Sequence, residues 1–205
     1  MQHWNGSQMC VIDTETTGLD PSWHEMVQLS LIPLDSNFDI RKDVAPFSIY
    51  LRPDNPERAD KKAMKVNGLD LSDLTLKGFD QEAAKDMLKG WIDKLGLPYT
   101  RYGRRKEIIP LGQNYAFDKS FISAWLGSDI YFDLFGYHYR DTMIAAGYLN
   151  DRAAYHGETI PFPKIGLKYL ASQLKIPTTQ AHDALSDCQT TAKVYQKFVQ
   201  QGLLG

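Results

Sequence analysis

Asp13 and Glu15 stand one residue apart at the end of an apolar run, Met9-Cys10-Val11-Ile12, and just ahead of a Thr16-Thr17-Gly18 turn. On a strand, side chains two apart face the same way, with about 6–7 Å between their Cα atoms. Like charges that close raise each other's pKa unless a cation lies between them. A hard divalent ion, which takes oxygen ligands, is the chemistry such a pair invites. Asp-x-Glu alone also reads as a strand end followed by an acidic turn, so a partner elsewhere must decide.

That partner is Asp187. Ala184, Cys188, Thr191, Ala192 and Tyr195 recur at helical spacing, and Asp187 lies three after Ala184 and four before Thr191. It therefore points toward the core side of a helix. A carboxylate there is costly unless something neutralises it. His182 stands five residues earlier, where a loop histidine can fold back over the carboxylate; read alone, it is a surface or capping residue. A further acid, Asp118, ends the stretch Leu111-Gly112-Gln113-Asn114-Tyr115-Ala116-Phe117-Asp118. A strand, a glycine, an amide and an acid in the first helical turn would place it at a sheet's edge. Taken alone it is ordinary compensation of the helix dipole.

The elements that must carry these residues follow from periodicity and turn chemistry. A first strand begins at Met9, a second spans 26–34, and Phe47, Ile49 and Leu51 alternate as a third; the short connections favour an antiparallel meander. A short helix is stopped by Gly68, and Ala84, Met87, Leu88, Trp91 and Leu95 mark a longer one ended by Gly96. Residues 108–111 form a strand that Pro110 places at an edge or strand end. Asn114 caps a helix carrying Phe121, Ala124 and Trp125. Residues 130–134 read as strand, and Asp141 opens a helix reaching Leu149. The longest irregular connection is 150–164. Leu167, Leu170, Ala171 and Leu174 mark the penultimate helix, and the last spans about 183–199. Strands first, then alternating helices and strands, give a mixed α/β sheet with helices on its faces. Residues 1–8 form a leading extension, 9–199 one domain, and 200–205 a frayed end.

The three acidic stretches together resemble the DEDDh 3′–5′ exonuclease superfamily, which includes polymerase proofreading exonucleases, ribonuclease T and oligoribonuclease. Residues 13–18 look like its first motif, 112–118 its second and 182–187 its third, with order and spacing preserved. The resemblance implies a ribonuclease H-like fold, a mixed five-stranded sheet with helices on both faces. Asp13, Glu15, Asp118 and Asp187 would converge on two Mg²⁺ or Mn²⁺ ions. Asp13 would bridge them, Glu15 and Asp187 would hold the nucleophile-side ion, and Asp118 would serve the other. His182 would be the general base. Backbone around Thr16 and Thr17, with Leu19, would contact the terminal nucleotide, and Asn114 and Phe117 would lie beside it. Phe117 alternatively packs under the site. Gln113 stands where the family usually has histidine. The implied activity is hydrolysis at the 3′ end of single-stranded DNA or RNA, releasing nucleoside 5′-monophosphates.

Composition restricts the partners. With 23 basic and 25 acidic residues the net charge is −2, so the chain as a whole does not attract a polyanion and strand binding must come from local patches. The segment 99–106 is the candidate patch, with Arg101, Arg104, Arg105 and Lys106 interleaved with Tyr99 and Tyr102. Its other reading is a solvated hairpin whose tyrosines pack on the adjacent helix. Cys10 and Cys188 are the only cysteines, which fits two reduced, buried thiols and a cytoplasmic location. No apolar run is long enough to span a bilayer. A polymerase partner and a homodimer both remain open. Two rival functions remain as well. An inactive nucleic-acid-binding module of the same fold should lack one of the acids, and none is missing. A metal-dependent phosphohydrolase of small nucleotides would prefer mononucleotides to oligonucleotides.

Overall fold

Alternation along the central strand β1 (Gln8–Thr16) sets the architecture. Met9 and Val11 face one side and Cys10 and Ile12 the other, and all four are buried. A strand apolar on both faces needs a helical layer on each. The computed structural model describes residues 6–178 and 183–200, so His182 lies outside the described residues. The other strands are β2 (Met26–Pro33), β3 (Phe47–Tyr50), β4 (Ile108–Gly112) and β5 (Arg140–Asp141). They form one mixed sheet in the order β3-β2-β1-β4-β5. The first three strands pair antiparallel, while β4 runs parallel to β1 and β5 parallel to β4.

The helices are α1 (Lys61–Asn67), α2 (Leu71–Lys77), α3 (Gln81–Lys94), α4 (Tyr115–Leu126), α5 (Ser128–Phe135), α6 (Thr142–Tyr155), α7 (Leu167–Gln173) and α8 (Ala184–Gln200). Leu88 and Trp91 of α3, Phe121 and Ile122 of α4 and Leu134 of α5 pack on the Cys10–Ile12 face. On the opposite face Cys188, Ala192 and Tyr195 of α8 cover Met9 and Val11. Leu149, Leu170 and Phe198 join α6 and α7 to the far side of α8. Asp13 and Glu15 continue the Met9–Val11 series and so face α8; Thr14 continues the other series and faces α4.

Several expectations are corrected. Residues 130–134 are helical, within α5: Tyr131, Leu134 and Phe135 are buried at helical spacing while Ile130 is exposed. A five-residue apolar run does not itself distinguish strand from helix. β4 is an inner strand, but Pro110 pairs only with Cys10, because the two-residue β5 begins opposite Leu111. The strand β1 starts at Gln8, whose side-chain amide donates to the Leu34 carbonyl at 2.6 Å. Helix α6 runs on to Tyr155, so the irregular connection is shorter than expected. Asn114 makes no side-chain cap; it adopts a left-handed conformation, φ 62°.

The cap of α4 comes instead from Asp141. Its carboxylate accepts from the backbone N–H groups of Asn114 (3.1 Å) and Tyr115 (2.7 Å), and from those of Met143 (2.8 Å) and Ile144 (3.3 Å). One side chain thus satisfies the starts of both α4 and α6, fixing the turn that carries Asp118.

Candidate active site

The last residues of β1 are aimed by their register on β2. Asp13 lies opposite Ser30 and Glu15 opposite Gln28, and the register then shifts between Glu15 and Thr16. Such bulges end pairing and re-aim side chains. The residues opposite the two acids also seat α8. The Gln28 side chain donates to Asp183 Oδ1 at 2.9 Å and accepts from the Ala184 N–H at 3.3 Å, and Cys188 Sγ donates to the Ser30 carbonyl at 3.5 Å. Asp183 caps the helix by accepting from the Ser186 N–H at 3.0 Å. The first turn of α8 is thereby held over the end of β1.

The outcome is a cluster in which Asp13, Glu15 and Asp187 each place a carboxylate oxygen within 4.8 Å of the others. Asp118 is not in that group. It lies on the α4 side, buried, and accepts from Thr14 Oγ1 at 2.7 Å. The structure thus brings three of the four expected acids together, with the fourth close enough for its charge to act on them. Burial, and then the charges of Asp118, Glu15 and Asp187, hold the Asp13 carboxyl well above the usual carboxylate range. Burial followed by the charges of Asp187, Asp118 and Asp183 pushes Glu15 up to about 7. Burial also raises Asp118 to about 7, opposed by its bond from Thr14.

Among the described residues, neither Asp13 nor Glu15 is ion-paired with a lysine, arginine or histidine. Three carboxylates offering only oxygen donors, with the pKa values of Asp13 and Glu15 raised, fit a hard divalent cation, which small side-chain movements would let them share. The cluster gives a testable pH dependence. A carboxyl whose pKa is raised on folding binds its proton more tightly in the folded state. The stability it contributes is present below the usual carboxylate range and lost as pH rises through about 7. Thermal denaturation in chelator should therefore show a melting temperature that falls by about 5–10 °C between pH 5 and pH 8, on the order of a few kcal/mol. Excess Mn²⁺ at pH 8 should restore it. A metal-free melting temperature that stays level or rises across that interval would contradict the cluster's electrostatics.

Beside the carboxylates opens a cavity of about 540 Å³, lined by Glu15, Thr16, Leu19, Lys62, Val66 and Phe117 among others. Its mouth carries Leu19, 81% exposed. Thr16, Leu19 and Phe117 therefore line one cavity beside the acids. Phe117 also packs against Phe121, ring centroids 5.0 Å apart, as its packing reading requires.

Thr17 and Asn114 do not line this cavity. Thr17 is buried: its N–H donates to the Glu25 carbonyl at 2.8 Å, its carbonyl accepts from the Asp60 N–H at 2.7 Å, and its hydroxyl accepts from the Glu25 N–H at 2.9 Å. These bonds build the turn. Gln113 is likewise committed, donating to the Ile165 carbonyl at 2.8 Å and accepting from Thr142 Oγ1 at 2.6 Å.

The basic segment is corrected most. Gln8 pairs with Ile108, so residues 99–106 enter β4 beside the start of β1, and the acids sit at its other end. That separates them by roughly 17–23 Å along the strand. The segment is a hairpin in which Arg105 pairs with Asp93 at 2.5 Å, Arg104 with Asp133 at 3.5 Å, and Arg101 stacks on Tyr102 at 4.6 Å. Tyr99 and Tyr102 are exposed rather than packed on a helix. Gln28 lies outside the expected site; a buried amide in a mainly apolar strand is the available signal, because such groups require partners.

The Exonuclease family model (RNase_T) matches residues 10–100. Ribonuclease T of Buchnera aphidicola subsp. Baizongia pistaciae (strain Bp) is 25% identical over 190 residues, 92% of this chain and 82% of that protein. E. coli exonuclease I in complex with a dA16 oligonucleotide matches with TM-score 0.74 at 20% identity, covering 96% of this chain and 42% of that one. The structure of cell-death related nuclease 4 matches with TM-score 0.71 at 17% identity, covering 98% and 67% of the two chains. The chain thus spans about two fifths of the length of the exonuclease I chain, and these structural likenesses establish a shared fold.

Proposed function

We propose that the chain is a member of the DEDDh 3′–5′ exonuclease superfamily, a reading that the partial family match, the ribonuclease T relative and the shared fold support, and that it removes nucleotides one at a time from the 3′ end of single-stranded DNA or RNA, releasing nucleoside 5′-monophosphates. The observation that supports this most is the convergence of Asp13, Glu15 and Asp187 next to a cavity of about 540 Å³. That volume lies within the range of about 300–1,000 Å³ common for small-molecule sites. Asp13, Glu15 and Asp187, with Asp118 beside them, would hold two Mg²⁺ or Mn²⁺ ions, which when bound activate water and stabilise charge on the attacking and leaving oxygens.

The chain's own residues do the remainder. Leu19, Val66 and Phe117 give the cavity apolar walls against which a terminal sugar and base can settle. Glu15 and Thr16 at its inner end leave the scissile phosphate beside the carboxylates. His182, five residues before Asp187, takes the proton from the attacking water, a role suited to a group whose ordinary pKa is near 6.5.

Direction is tested with strands labelled at the 5′ end, incubated with Mg²⁺. A ladder shortening from the 3′ end, with mononucleotide products, is the expected result, and a 3′-terminal phosphate should block it. Cleavage of a covalently closed single-stranded circle would make the protein an endonuclease. Hydrolysis confined to mononucleotides would make it a small-nucleotide phosphohydrolase.

A further inference from the structure

The hairpin 99–106 lies at the far end of the sheet from the acids, so the basic residues near the cavity are Lys62, which lines it, and Arg58 just outside. Two segments wall the cavity: the loop after β1, through Leu19 and His24, and the start of α1, through Asp60 and Lys62. Just outside, Arg58 stacks its guanidinium on the indole of Trp23, 4.5 Å from the ring centroid. Trp23 adjoins His24 and Arg58 is two residues before Asp60, so the pair continues both walls outward by no more than about 7 Å of chain.

The pair is built on fixed supports. The Glu25 carboxylate accepts from the backbone N–H groups of Asp54 (3.0 Å) and Asn55 (2.9 Å), and Asn55 in turn accepts from the Arg58 N–H at 3.0 Å. On the other side the Trp23 and His24 N–H groups both donate to the Asp20 carbonyl. Trp23 is nevertheless 53% exposed. Arg41, Arg52, Arg104 and Arg105 each pair with a carboxylate; among the described residues Arg58 does not. A guanidinium stacked on an aromatic face keeps its N–H edge free for bidentate phosphate recognition. Exposed indole surface is a platform for an unpaired base.

We propose that Trp23 and Arg58 form a subsite for the nucleotides upstream of the scissile bond, Arg58 holding a backbone phosphate and Trp23 stacking on a base. The subsite rests on the exonuclease reading of the carboxylate cluster and adds to it a preference for strands longer than a dinucleotide.

The experiment compares kcat and KM for a twelve-nucleotide single strand and for a dinucleotide, with wild type, Arg58→Ala, Arg58→Lys and Trp23→Ala, alongside melting temperatures. The expected result is a KM for the long strand that rises about tenfold relative to the dinucleotide in Arg58→Ala and Trp23→Ala, with a smaller rise in Arg58→Lys. In Arg58→Ala the salt dependence of long-strand binding should flatten by about 0.7 in log–log slope, the value of one phosphate contact on a single strand. Equal changes on both substrates would show that the pair only braces the cavity wall and would overturn the subsite. No change on either would overturn it too. Wild type inactive on both lengths with Mg²⁺ and with Mn²⁺ would instead overturn the exonuclease reading, and the subsite with it.

Discussion

Replacing Asp13 or Asp187 with asparagine should lower divalent-dependent hydrolysis of single strands by about 10³-fold or more, on the order of 4 kcal/mol of transition-state stabilisation. The two residues reach the cluster from different elements, β1 and α8, yet their ligand atoms lie within 4.8 Å of each other and of Glu15. Neither side chain belongs to the apolar packing, so the fold should survive. In chelator Asp13→Asn should melt higher than wild type at pH 8, since it removes a charge that Asp118, Glu15 and Asp187 all oppose. Loss of activity together with a gain in metal-free stability is what a metal site predicts. A purely structural acid would give the reverse of both. The measurements are kcat at saturating Mg²⁺ and thermal denaturation in chelator.

His182→Ala should reduce kcat by about 10²–10⁴-fold, the usual contribution of a general base. Affinity for Mn²⁺, followed by calorimetry, should change little, because the carboxylates supply the ligands. The rising limb of the pH–rate profile should also change shape, since a general base must be deprotonated to act. A collapse of Mn²⁺ affinity would make the histidine a ligand and remove it from proton transfer.

The cluster was legible in sequence because each acid breaks a strong local pattern. Asp13 and Glu15 continue the alternation of Met9 and Val11, and Asp187 interrupts the apolar stripe of α8, so each had to face something polar in the interior. The meander of β1, β2 and β3 followed from short connections. Chain order, however, does not say which end of a strand a neighbouring segment occupies. The basic hairpin precedes β4, which runs parallel to β1, so it joins the starting end of the sheet while the acids lie at the finishing end. The seating of α8 by Gln28, and the double cap by Asp141, depend on contacts between segments far apart in sequence. Helix α5 was misread because a short apolar run between glycines satisfies both periods, and its burial against Tyr115 and Phe121 decided the matter.

The metal dependence of hydrolysis tests the central claim most directly. The rate on a labelled single strand is followed at pH 8 as free Mg²⁺ or Mn²⁺ is raised from zero, in buffered chelator. With Asp13, Glu15 and Asp187 as the ligands of catalytic cations, the rate should be negligible in chelator and should rise to saturation as the cation is added. A rate in excess chelator equal to that at saturating Mg²⁺ would contradict the account.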